Sequence, residues 1–198
     1  DVVRLTGKRP RGMVLSGLVE GKPVLFVTGG SLGARGINKG IEAALPLLKE
    51  NNIQVIWQTG TTYLQQAEAA IARLGFADCK VSAFVAHMDL AYAVADLVVA
   101  RAGAISVSEL CLVKLPAILV PLPTAAEDHQ TKNARALTDR HAAVLVRDEN
   151  TEEELGTRII ELMNDAAARE RLSIAMASLG MSNAAEAIAA ETIRLARQ

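Results

Sequence analysis

The sequence predicts an α/β fold built on a doubly wound parallel sheet. Short, wholly apolar runs alternate with segments in which apolar residues recur every three or four positions. Glycine and polar residues gather where those runs end. Hydrophobic residues make up 51% of the chain and aromatic residues 3%, so the core must come from Ala, Val, Leu and Ile, as in helices packed on a buried sheet. At 198 residues the chain suits one well-packed domain and is short for two.

Taken in order, residues 1–22 mix basic residues, glycines and a proline without a clear period, and read as a lead-in or interdomain linker. Residues 23–28 form a continuous apolar run, too short for a helix and suited to a buried strand. The glycines of 29–33 end it. From 34 to 50, Ile37, Ile41, Leu45 and Leu48 recur at helical spacing, with Pro46 expected to kink or stop the helix. The alternation continues with strands at 54–58, 80–85, 96–100, 116–120 and 143–146, and helices at 61–74, 88–94, 106–113 and 129–140. Repeated βαβ units with right-handed crossovers give a doubly wound sheet over 23–182. Three helical patterns follow, at 152–164, 166–178 and 183–198. Thr151 and Glu154 form a candidate capping box, Gly180 a candidate stop and Asn183 a candidate cap. The final helix, 183–198, is a candidate to pack on another domain.

Twenty-one basic residues against 22 acidic ones give a net charge of -1, with the basic residues scattered, so there is no electrostatic case for nucleic acid. Cys79 and Cys111 sit among apolar neighbours without ligand spacing and read as buried thiols. His87, His129 and His141 have no metal-ligand spacing either. The absence of a long apolar span or a signal-peptide pattern leads to the expectation of a soluble, cytoplasmic domain. The chain opens at Asp1 without an initiator Met, as a fragment would.

In such a sheet the loops leaving the carboxyl ends of the strands form the binding crevice. Gly29-Gly30-Ser31-Leu32-Gly33 can offer backbone N–H groups, a helix N-terminus and the Ser31 hydroxyl to a phosphate. A tight turn needing glycine accounts for it equally well. Its GGxxG spacing is not the dinucleotide fingerprint, strand two ends in Gln58-Thr59 rather than an acid, and no Lys-Ser or Lys-Thr follows to make a P-loop. Arg101-Ala102-Gly103-Ala104-Ile105-Ser106-Val107-Ser108-Glu109 puts a carboxylate about one turn into a helix behind a loop of very small residues. Glu109 has the acceptors to read a vicinal diol, although alone it is better explained as a helix-surface acid. In the segment 121–134, His129, Gln130 and Asn133 open a helix where they can bind sugar hydroxyls or simply be solvated. His129 as a catalytic base lacks a Ser or Cys nucleophile motif to serve.

Three segments, GGSLGAR at 29–35, RAGAISVSE at 101–109 and PLPTAAEDHQTKNA at 121–134, together closely resemble the donor-binding half of the MurG family of peptidoglycan glycosyltransferases. Smaller matches are Gln58-Thr59-Gly60, the loop 84–88 and the stretch 92–96, all in the family's order over 23–198. The resemblance implies the C-terminal, Rossmann-like domain of an inverting GT-B enzyme that moves N-acetylglucosamine from UDP-N-acetylglucosamine to lipid I, forming lipid II. It places Gly30 and Ser31 at the diphosphate, Glu109 at the ribose, the backbone around Phe84 and Val85 at the uracil with Met88 beside it, and Ala104 near the sugar. His129, Gln130 and Asn133 would surround the sugar hydroxyls. Residues 6–11 are similar to the family's TGNPVR, which makes Arg11 a candidate nucleotide contact.

The same resemblance assigns the acceptor site, the membrane-facing patch and the catalytic base to an N-terminal half, so no catalytic residue is named in this chain. The intact enzyme is expected to be peripheral on the cytoplasmic face of the inner membrane, and this chain alone inactive. No cofactor is assigned, and nothing in the sequence indicates a divalent ion such as Mg²⁺. Two other readings stand beside this one: a GT-B lipid glycosyltransferase with a different acceptor, and a non-catalytic nucleotide-sugar-binding domain.

Overall fold

A computed structural model describes residues 3–180, 189 and 192–195. Six parallel strands, β1 (Val24–Thr28), β2 (Gln54–Gln58), β3 (Cys79–Ser82), β4 (Leu97–Ala100), β5 (Ala117–Leu119) and β6 (Val144–Leu145), form one sheet in the order β3-β2-β1-β4-β5-β6. The chain winds outward from β1 to β3, then crosses back to β4 and winds the other way. The reversal lies between β1 and β4, where Thr28 and Ala100 are register partners at the carboxyl end. Loops leaving neighbouring strands there turn to opposite faces and open a crevice.

Side-chain alternation along the strands feeds two cores. Leu25 and Val27 of β1, with Val55 and Trp57 of β2 and Leu97 and Val99 of β4, pack under α2 (Arg35–Glu50), α3 (Leu64–Leu74) and α7 (Thr151–Asn164). Val24, Phe26, Ile56 and Val98 face the other way, beneath α1 (Arg9–Leu15), α4 (Met88–Val94), α5 (Ala104–Val113) and α6 (His129–Thr138). Helix α8 (Ala166–Leu179) reaches both cores through Leu172 and Met176. Both cysteines are buried, and burial pushes the Cys79 thiol up to about 12, which keeps it a protonated core side chain.

Among the described residues the sheet and its crossover helices follow the periodicity, with informative differences. The lead-in is partly structured. Its helix α1 packs on α4 so closely that a Cβ on Gly12 would lie 2.7 Å from Val94 Cγ1. Lys8 pairs with Asp89 at 2.8 Å and holds that carboxyl below the usual range, while Arg9 donates to the Val94 carbonyl. Pro46 neither stops nor ends α2, because it lies on the exposed side while Leu45 and Leu48 remain anchored in the core. Strand β3 leaves the sheet after Ser82, three residues earlier than expected, since residues 83–87 are drawn off as a loop. The capping box at Thr151 does not form. Thr151 is already inside α7, and its hydroxyl donates to the Gly36 and Asp148 carbonyls, while Asn150 binds Glu154. Gly180 does follow α8. The expected helix 183–198 and its Asn183 cap lie outside the described residues, except 189 and 192–195, which are helical.

Helix α7 is brought back across the sheet to pack on α2 by small residues on both sides. A Cβ on Gly40 would lie 2.7 Å from Thr151 Cβ and 2.8 Å from the Thr151 carbonyl oxygen, with Gly156 against Ala44 a turn away. Gly40→Ala is therefore expected to destabilise the domain by about 1–3 kcal/mol despite the helix propensity of alanine. Urea unfolding measures this, and an unchanged midpoint would refute the close crossing.

Candidate functional site

The crevice is assembled from the loops after β1, β2, β3, β4 and β5, which all leave the same edge because the sheet is wholly parallel. The turn after β1 is shaped by the loop after β2. Gly33 (φ 78°) and Gly60 (φ 76°) are both left-handed and face each other backbone to backbone. A Cβ on Gly33 would collide with the Thr59 carbonyl, and one on Gly60 would lie 2.5 Å from the Leu32 carbonyl oxygen. Only glycine fits such an approach.

Beneath the turn runs a buried polar chain. Trp57 Nε1 donates to Asn38 Oδ1 at 3.0 Å, and Asn38 Nδ2 donates to the Thr59 carbonyl at 2.8 Å. Gln58, 2% exposed, donates through Nε2 to the Gly30 carbonyl and accepts through Oε1 from the Val85 N–H, both at 2.9 Å. One carboxamide thus ties the phosphate-type turn to the loop after β3. In the sequence Gln58 stands out only within a smaller family match and as a non-acidic strand end, because neither partner is near it in the chain.

On the other side of the reversal, Arg101 is a brace and not a surface cation. Its guanidinium donates to the Val120 and Pro121 carbonyls at 3.1 Å and pairs with Asp148 at 2.5 Å, with little of its side chain exposed. The loop that follows is short, because α5 begins at Ala104, two residues before the expected start. Neither α2, with Ala34 at its N-cap, nor α5, with Gly103, carries a capping side chain, so the first N–H groups of both helices remain suited to an anion or a polar ligand.

The candidate residues fall around this crevice as follows. Gly30 and Ser31 are exposed on the turn between β1 and α2. Ala104 is the exposed first residue of α5, and Glu109, half-buried one turn further on, accepts a hydrogen bond from the Tyr92 hydroxyl at 3.0 Å. Val85 lies in the loop after β3, but its N–H is engaged by Gln58, which leaves its carbonyl and the neighbouring backbone for a base. Met88, first residue of α4, is partly buried and packs against the core below the loop after β3.

Gln130 accepts from the Leu122 N–H at 3.0 Å, and Asn133 donates to the Ala102 carbonyl at 3.0 Å, so both brace the loops they border while keeping Gln130 Nε2 and Asn133 Oδ1 for a ligand. His129 opens α6 behind Glu127 and Asp128, whose left-handed backbones (φ 51° and 55°) cost roughly 1–2 kcal/mol each. A polar depression of about 330 Å³, lined by Pro121, Pro123, Asp128, Thr131 and Arg135, adjoins this end. Arg11 is exposed on α1, where Lys8 and Arg9 rather than Arg11 make the charged contacts with α4 and its flank. Among the described residues no cluster of three or more His, Cys, Asp or Glu side chains is placed to hold a metal.

Residues 24–188 match the model of the glycosyltransferase family 28 C-terminal domain. The chain is 48% identical over 172 residues to a Cytophaga hutchinsonii protein named UDP-N-acetylglucosamine--N-acetylmuramyl-(pentapeptide) pyrophosphoryl-undecaprenol N-acetylglucosamine transferase, covering 87% of this chain and 46% of that protein. A Porphyromonas gingivalis protein of the same name is 47% identical over 173 residues, with the same coverage. Among solved structures, Acinetobacter baumannii MurG superposes with a TM-score of 0.78 at 27% identity, over 94% of this chain and 53% of that one. The chain therefore spans about half the length of the relatives it matches. With its parallel sheet, its reversal between β1 and β4 and its glycine turn in the matched region, the chain belongs to glycosyltransferase family 28, of which it carries the C-terminal domain.

Proposed function

We propose that the chain is the donor-binding half of an inverting transferase that moves N-acetylglucosamine from UDP-N-acetylglucosamine to lipid I, producing lipid II for peptidoglycan. The observation that carries this is that the GGSLG turn, the loop after β3 and the helix bearing Glu109 all follow strands of one parallel sheet at its carboxyl edge, in a chain 48% identical to a transferase named for that donor and a lipid-linked acceptor. Diphosphate at Gly30, Ser31 and the α2 N-terminus, ribose at Glu109, uracil against the backbone near Val85, and sugar between Ala104 and the α6 start form one continuous path along the sheet edge. Arg11 is assigned to the nucleotide side, and Met88 supports the base loop from below.

The reaction is displacement of UDP by the acceptor hydroxyl from the opposite face of the sugar. The anomeric carbon–oxygen bond to the diphosphate breaks as the new one forms, and the leaving diphosphate gains negative charge. Backbone N–H groups fixed at the turn and the Ser31 hydroxyl meet that charge without rearranging. The acceptor site and the base that takes the hydroxyl proton belong to the remaining half of the length seen in the relatives. The lipid-linked acceptor draws the whole enzyme to the cytoplasmic face of the membrane. Among the described residues no helix is long and apolar enough to cross one.

Calorimetry on this chain is expected to show binding of UDP in preference to ADP and GDP, and equal affinities would sink the donor assignment. Ser31→Ala should weaken UDP by about 1.5–3 kcal/mol, the range for a hydrogen bond to a charged group, and leave uridine unaffected. A matching loss for uridine would move Ser31 away from the phosphate. Gln58→Met fills the same space but leaves the Gly30 carbonyl and Val85 N–H unpaired, at about 1–3 kcal/mol each. Denaturation should register that loss, together with weaker UDP binding; unaltered stability would show that the two loops are held by other contacts.

A further inference from the structure

Glu109 is held by a side chain that lies outside the proposed ligand path. Tyr92, on α4, is 2% exposed and stacks edge-on against Phe26, with ring centroids 5.6 Å apart and planes at 78°. Phenylalanine would fill this core position equally well, so the ring alone does not account for the hydroxyl. Among the described residues that hydroxyl has Glu109 Oε2 as its hydrogen-bond partner, at 3.0 Å. Burial, reinforced by the charge and hydrogen bond of Glu109, raises the phenol above its ordinary range and keeps it a neutral donor.

The glutamate carboxylate has a broad, roughly two-fold terminal torsion, and a half-buried carboxylate at a crevice samples several planes unless something fixes it. A rigid donor on one oxygen selects one plane. We propose that Tyr92 is a positioning residue for ribose recognition: its hydroxyl orients Glu109 so that Oε1 and the second lone pair of Oε2 meet the two ribose hydroxyls. The inference rests on the assignment of Glu109 to the ribose. It also gives α4 a second part in the site, since the helix begins at Met88, beside the base loop, and carries Tyr92 one turn further on. Base and ribose subsites are then set by one rigid element.

The test is calorimetric affinity of the 198-residue chain for UDP and for 2′,3′-dideoxy-UDP, in wild type, Tyr92→Phe, Glu109→Ala and the double variant, each checked for an intact thermal transition. Glu109→Ala should weaken UDP about 10- to 100-fold, and Tyr92→Phe about three- to tenfold. Neither should alter affinity for the dideoxy ligand, and the double variant should be no weaker than Glu109→Ala, because the two act through one contact. Equal weakening of both ligands by Tyr92→Phe, or losses that add in the double variant, would overturn the role of Tyr92 and leave the ribose assignment intact. If Glu109→Ala makes no distinction between the two ligands, the ribose assignment fails, and the role of Tyr92 with it.

Discussion

The backbone-to-backbone contact between the turn after β1 and the turn after β2 governs how the rest of this edge is arranged. Adjacent parallel strands end side by side, and their exits compete for the same space. Two left-handed glycines, Gly33 and Gly60, resolve the competition by letting the chains touch without side chains between them. That contact buries carbonyls, and a buried carbonyl needs a donor. Asn38 supplies one to Thr59, with Trp57 holding Asn38 in place, and Gln58 ties down the Gly30 carbonyl at the head of the same turn. The result is that α2 starts immediately over the reversal point, its first N–H groups directed there by buried packing and not by a flexible loop.

A different kind of restraint holds the far side. Arg101 joins the exits of β4 and β5 to Asp148, which itself packs against Gly36 at the start of α2. A largely buried ion pair contributes little net stability, because desolvation offsets most of the attraction. Its value here is geometric: a planar guanidinium with several directed donors fixes two carbonyls and a carboxylate relative to one another. Together with Gln58 on the near side, it makes the loops around the crevice part of the core's hydrogen-bonding system.

Most of the sheet was legible in the sequence because each strand is a short apolar run and each crossover a periodic helix, signals that survive without knowledge of partners. Helix α1 was not. Its stability comes from the Gly12 crossing on α4 and the Lys8–Asp89 pair, contacts with residues more than 70 positions away, while its own composition of basic residues, glycine and proline has no clear helical period. The Thr151 cap failed because Asn150 takes the N-cap position and Thr151 is already the first residue of α7, where its hydroxyl donates to the Gly36 carbonyl across the domain. At the site, the positions of Ser31, Ala104 and Glu109 followed from motif and loop placement. Gln58, Arg101 and Tyr92 also lie in segments that match the family, but their bracing roles did not follow, since each acts on a group 17 or more residues away, and Gln130 and Asn133 turned out to brace loops as well as border the crevice.

This division of labour bears on the proposed chemistry. Among the described residues every buried side-chain nitrogen and oxygen has its hydrogen bond within the protein. The side chains that brace the loops therefore need no donor substrate to complete their hydrogen bonds, while the uncapped first N–H groups of α2 and α5 remain for one. A preformed crevice suits a leaving-group site, where stabilisation comes from dipoles that are already oriented when charge develops. Leu32, Phe84 and Ile105, on the exits of β1, β3 and β4, are 90%, 61% and 77% exposed. Exposed apolar side chains of this size, carried on three strand exits of one sheet edge, are surface that burial against a partner would stabilise.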